Sequence, residues 1–232
     1  MGDPERYEAY RVLQRNDIPC VVWLEDALGH YGMNTVLFRL HIIVASIDTA
    51  TEALLLKGWT IYKPRPNDLQ SFLSDMPTSS YRRLLPPDWV DDPVEPWPPL
   101  PPDQQVQTQP ELVLFSADFW NISLYGNKSM FPPLEMLVDS LITATLDSPD
   151  GSFLQSRLSV YICALYSEIT GVKHDDLVAS LSPANRHFHH DGVNGIRVTT
   201  IPGIKRQREF RDKLRESCIV SEPVVNRVEG DN

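Results

Sequence analysis

Ten residues at 36–45, V-L-F-R-L-H-I-I-V-A, carry the clearest pattern in the chain. Side chains alternate across a strand, so Val36, Phe38, Leu40, Ile42 and Val44 share one face. Leu37, Arg39, His41 and Ile43 share the other. The first face predicts a buried strand. The second sends Arg39 and His41 the same way from the middle of an apolar run. Charged groups are rarely buried without a partner. That face is therefore solvated at a sheet edge, paired with a core carboxylate, or the lining of a pocket.

The flanking sequence alternates between helix and strand signals. Asp3 is placed to cap a helix with Pro4 at its first position, running to about residue 16. C-V-V-W-L at 20–24 reads as a short buried strand, and 25–31 as a short helix stopped by Gly32. After the central strand, Asp48 caps a helix with Ala50, Ala53, Leu54 and Leu56 as apolar contacts, and Gly58 ends it. Residues 59–62 form the next strand. The connection within 36–62 is close to the dozen residues of a crossover, which predicts parallel or mixed pairing. Residues 67–76 are expected to be helical. E-L-V-L-F-S-A at 111–117 and the run at 119–125 read as strands, with a turn at Gly126-Asn127. Residues 134–146 and 153–169 follow the helical period, and the D-S-P-D-G link between them predicts an antiparallel hairpin. A further helix is expected at 174–181. K-R-Q-R-E-F-R-D-K-L-R at 205–215 is basic and helical in pattern. It is either a solvated helix face or a contact for RNA or an anionic surface.

Proline occurs at 86, 87, 93, 96, 98, 99, 101, 102 and 110, which breaks both helix and sheet there. The chain thus divides into 1–85, the N-terminal part of an α/β core; 86–110, a proline-rich insertion; 111–131, the remaining sheet; 132–218, a helical part; and 219–232, a tail. The insertion is either a loop over the sheet edge or a docking segment for a protein partner. The fold class is α/β (α+β), a mixed sheet with flanking helices and a helical C-terminal half.

Composition narrows the function. The 232 residues carry a net charge of −10, which argues against a general nucleic-acid binder. The three cysteines, Cys20, Cys163 and Cys218, are widely spaced and make no disulfide framework. Cys20 and Cys163 lie in apolar runs and are expected to be reduced core residues. The polar N-terminus is unlike a secretory signal, and no apolar run reaches the length of a membrane span. The expectation is a soluble cytoplasmic protein.

E-D-A-L-G-H-Y-G-M-N-T-V-L-F-R-L-H-I-I-V, I-D-T-A-T-E-A-L-L-L-K-G-W, F-P-P-L-E-M-L-V-D-S-L-I and R-H-F-H together resemble an uncharacterised family of filamentous-fungal proteins. That family in turn is distantly similar to the nucleotidyltransferase-fold proteins of bacterial type IV toxin–antitoxin systems. The resemblance implies a nucleotidyltransferase-like sheet. In such enzymes a small residue pair opens a helix beside the triphosphate, and two carboxylates on the next strand hold the metals. Here Glu25 and Asp26 stand at the small pair, and Arg39 and His41 stand at the carboxylates. Arginine cannot ligate a metal as a carboxylate does.

The resemblance therefore implies a degenerate metal centre and a non-catalytic relative that binds a nucleotide or a protein. Thr35, Arg39 and His41 are the nucleotide-binding candidates. An internal salt bridge from the Arg39/His41 face to Glu25 or Asp26 is expected, with Arg39 as its first-choice cation. The alternative is an active metal-dependent nucleotidyltransferase that uses Glu25, Asp26 and Asp118, with Mg2+ required; Glu111 is a second choice for the third carboxylate. A further alternative is an interaction protein acting through the proline-rich segment. His187, His190 and Asp191 could hold zinc, but no second half of such a motif is apparent, and a helix end with solvated histidines explains them as well.

Overall fold

The computed structural model describes residues 5–64, 71–89 and 109–220. A 3-10 turn at Glu5–Tyr7 leads into α1 (Glu8–Arg15), β1 (Cys20–Trp23), α2 (Glu25–His30), β2 (Leu40–Val44), α3 (Ile47–Leu55) and β3 (Thr60–Ile61). Then come β4 (Tyr81–Leu85), β5 (Leu112–Ser116), α4 (Leu134–Asp147), α5 (Phe153–Glu168), α6 (Asp175–Ser180), α7 (Pro183–Val193) and α8 (Ile201–Val220). The five strands form one mixed sheet in the order β1-β2-β5-β4-β3. β2 and β5 run parallel, and the other neighbours are antiparallel. The fold is mixed α/β.

Strand alternation divides the interior into two cores. Cys20, Val22, Leu40, Ile42, Val44, Leu112 and Leu114 pack against α1 and α3. Val21, Trp23, Ile43, Val113 and Phe115 face the helical half. There they meet Leu137, Leu141, Leu158, Ile162 and Phe188. Register places Trp23, His41, Val113 and Arg83 in one row across this second face.

Several expectations change. The strand expected at 36–45 begins only at Leu40. Val36, Leu37 and Phe38 are exposed, Phe38 by 72%. β5 starts at Leu112, just after Pro110, so residues 36–39 have no ladder to join. The central position belongs to β5 rather than β2. β2 and β3 are not neighbours, but they run parallel in the same mixed sheet, so the strand-helix-strand unit at 36–62 is a crossover that passes over β5 and β4.

Ser46, not Asp48, caps α3 by accepting from the Thr49 amide. Residues 119–125 are turns: Asn121 has φ +52°, and Ile122 N–H donates to the Ala117 carbonyl. The alternate burial of Trp120, Ile122 and Leu124 mimics a strand but serves a loop packed on the core. In the stretch expected to be helical at 67–76, residues 71–76 hold a 3-10 turn at Phe72–Asp75; 67–70 lie outside the described residues, as do Asp3, Pro4 and most of the proline-rich segment. The pattern predicts no element at β4, whose Y-R-R-L-L lacks clean alternation. Cys20 is buried, but Cys163 is exposed and sits 3.1 Å from the Thr199 hydroxyl.

The basic helix is not a uniformly solvated face. Arg208 donates to the Leu146 carbonyl at 2.8 Å and to the Ser148 carbonyl, and it pairs with Asp150. Arg211 is 7% exposed and pairs with Asp147. Cations thus satisfy the open carbonyls at the C-terminus of α4, where the helix dipole is negative. Replacing Arg208 by Ala is expected to cost about 1.5–3 kcal/mol, the range for hydrogen bonds to a charged group. Lys213→Ala on the same helix is expected to cost under about 0.5 kcal/mol, as is usual for a surface substitution. Urea unfolding of the two variants checks this.

Candidate functional site

β1 turns into α2 through Leu24, a buried leucine at φ +52° and ψ −122°. This region is unfavourable for a side chain with a Cβ, and such outliers cost of order 1–3 kcal/mol. The turn delivers Glu25 and Asp26 into the first turn of α2, both buried. Consecutive residues leave the backbone in different directions, and the two carboxylates meet different partners.

Asp26 is fully taken. Arg6 donates two hydrogen bonds to it at 2.7 Å, and the Tyr7 hydroxyl donates a third at 2.9 Å. Arg6 also donates to the Arg39 carbonyl, which pins the entry to β2. Burial first, then the Asp26 charge, pushes the Tyr7 hydroxyl up to about 12.

Glu25 anchors the other side. His41 Nδ1 lies 2.9 Å from its Oε2, Arg157 Nη2 donates to Oε1 at 2.7 Å, and the Tyr161 hydroxyl donates to Oε1. Arg157 Nε in turn donates to the Tyr161 oxygen. Burial alone would push the Glu25 carboxyl up. The nearby His41 charge, with the Tyr161 bond, outweighs it and holds the carboxyl well below the usual range. Burial and the Glu25 charge push the Tyr161 hydroxyl far up, so it stays protonated.

Arg39 pairs with Glu111, not with Glu25 or Asp26 as expected. Its Nε donates to Glu111 Oε2 at 3.0 Å, and Arg83 holds the same carboxylate. Arg83 also lies over the Tyr62 ring. The reason is register: residue 39 precedes Leu40 as Glu111 precedes Leu112, its partner.

Glu25, Phe38, Arg39, His41, Phe72 and Arg157 line a cavity of about 290 Å³. Asp26 and Thr35 line a second of about 690 Å³, where His30 stacks on Phe131 at 4.4 Å. Asp118 lines a third of about 490 Å³. The three carboxylates of the metal-dependent alternative thus face three different cavities. Thr35 is likewise separated from Arg39 and His41. Among the described residues no group of three His, Cys, Asp or Glu side chains is arranged to hold a metal.

The histidine cluster is only partly solvated: His190 is exposed, while His187 and His189 are held by internal partners. His187 Nδ1 bonds Gln207 and its ring stacks on Phe210 at 3.8 Å. His189 is buried and bonds the Tyr166 hydroxyl. Asp191 accepts from Gln207 and Arg206, and His190 lies 3.7 Å from it. His187, His190 and Asp191 therefore do not converge on one point.

Sequence reasoning missed Arg157, Tyr161, Arg83 and Arg6. A signal existed for the first two: they stand four apart in α5, beside the apolar stripe of Leu154, Leu158 and Leu165. Nothing local linked them to Glu25, more than a hundred residues earlier.

No protein-family model matches this chain, and no curated protein matches it. A solved structure described as a "putative nucleotidyltransferase from H. pylori" aligns with 96% of this chain and 100% of that one, at 12% identity and a TM-score of 0.34. At that similarity it carries no conclusion about this chain. Among the described residues no helix is long and apolar enough to cross a membrane.

A carboxyl held low in the folded state stabilises it above the unfolded carboxyl's range, near 4.3, and that gain is lost as pH falls through the lower folded value. Tyr161→Phe is expected to cost about 1.5–3 kcal/mol through the lost hydrogen bond to the charged Glu25 carboxylate, whose Oε1 Arg157 still meets. Glu25→Gln is expected to lose stability at pH 7, with the gap to the parent narrowing below about pH 4. Denaturant unfolding at pH 3 and pH 7 checks both.

Proposed function

We propose that this protein is a non-catalytic, nucleotidyltransferase-like binder of nucleotides, using the cavity between Arg39, His41 and Arg157. The observation that carries the reading is the identity of these cavity residues. Where the resembled enzymes place metal-binding carboxylates, this chain presents Arg39 and His41, and Arg157 of α5 adds a second guanidinium beside them. Guanidinium and imidazole groups take anions directly, without a bridging metal. Phe38 and Phe72 supply apolar walls on the same cavity.

A protein partner is the second reading, favoured by one observation. Val36 and Phe38 are 66% and 72% exposed on the segment that enters β2. The metal-dependent alternative has less support, because Glu25 and Asp26 are consumed by internal partners and Asp118 lies on another cavity. The fungal-family resemblance rests on the sequence runs alone.

Thermal unfolding with each nucleoside triphosphate tests the reading. With EDTA present, a triphosphate at a hundredfold excess over its Kd should stabilise the fold by about 2.7 kcal/mol. Stabilisation that appears only with Mg2+ or Mn2+ would favour the carboxylate alternative. No shift with any nucleotide would leave the protein-partner reading.

A further inference from the structure

The cavity holds more hydrogen-bonding capacity than its internal contacts use. Arg39 spends only Nε, on Glu111, and no described residue meets its Nη1 or Nη2. Arg157 spends Nε on Tyr161 and Nη2 on Glu25, and no described residue meets its Nη1. His41 is 3% exposed, and neither of its buried ring nitrogens has a hydrogen-bond partner among the described residues, although Nδ1 lies 2.9 Å from Glu25 Oε2. An unmet buried polar atom is costly and uncommon, so its presence on a cavity wall points to a ligand.

On this cavity Arg39 pairs with Glu111 and Arg157 with Glu25. Arg39 and Arg157 remain 34% and 44% exposed, open to an arriving anion. We propose that the cavity is a metal-independent site for a phosphate or diphosphate group, held by Arg39 and Arg157 with His41 on the same wall. This rests on the nucleotide reading of the same cavity and names the part of the ligand that is gripped. At about 290 Å³ the cavity is at the small end for organic ligands, so it takes the phosphate end and leaves the rest outside, beside exposed Phe38.

Glu111 is the internal competitor. Arg83 bonds both of its oxygens, at 2.5 and 3.2 Å, while Arg39 bonds one at 3.0 Å. Arg39 can therefore turn to a phosphate without leaving Glu111 unpaired. Glu25 cannot be released so easily, since it is the shared partner of His41, Arg157 and Tyr161.

Calorimetric titration of the full chain in EDTA, with inorganic pyrophosphate and separately with each nucleoside triphosphate, tests the assignment. Pyrophosphate alone is expected to bind. Arg39→Gln is expected to weaken pyrophosphate and triphosphate at least tenfold, and Arg39→Lys, which keeps charge but loses the fork, to fall between. Glu111→Gln is expected to tighten pyrophosphate severalfold. Circular dichroism establishes that each variant is folded, and the half-exposed position of Arg39 favours this. A triphosphate that binds while pyrophosphate does not, with Arg39→Gln unchanged, would overturn the phosphate assignment and leave the nucleotide reading standing. No binding of either ligand overturns both. Weaker pyrophosphate binding in Glu111→Gln overturns the competition.

Discussion

Glu25 is a buried negative charge, and the architecture around it follows from the need to neutralise it. A carboxylate taken out of water costs several kcal/mol unless opposite charge and hydrogen bonds are supplied. His41 comes from the sheet, and Arg157 and Tyr161 come from α5. The apolar contacts of Trp23, Phe115 and Leu158 are less directional than hydrogen bonds. The charge cluster fixes one position, because it is satisfied only when α5 sets its arginine and tyrosine opposite α2.

Two other internal arrangements follow the same rule. Asp26, one residue on, is closed off by Arg6 and Tyr7, which brings the start of the chain onto α2 and β2. Arg208 and Arg211 carry α8 back to the end of α4. In each case a group that water would otherwise solvate is met by a side chain distant in sequence. An acidic chain thus spends many of its arginines on its own structure.

What could be read from sequence was local. The helices at 134–147 and 153–168 and the strand at 112–116 showed themselves by periodicity. So did the shared direction of Arg39 and His41, since both line one cavity. Their partners did not. Periodicity says which face a residue occupies but not which strand lies beside it, and the choice of Glu111 over Glu25 was made by the β2–β5 register. The late start of β2 had the same origin, since apolar residues at 36–38 cannot form a strand without a neighbour. Trp120, Ile122 and Leu124 failed in the opposite sense: burial every second residue, produced by a loop. Arg157 stayed hidden because an arginine near an apolar stripe is ordinarily a solvated flank.

The sheet ends also limit how this protein can meet another. On one side, the β1 amide at Val22 is already bonded to the Met130 carbonyl. On the other, β3 is a two-residue strand. Among the described residues, neither margin presents a long open ladder, the template on which an extended peptide adds itself as an extra strand. Along these margins contact falls to side chains, so selectivity there is written in chemical groups rather than in main-chain complementarity.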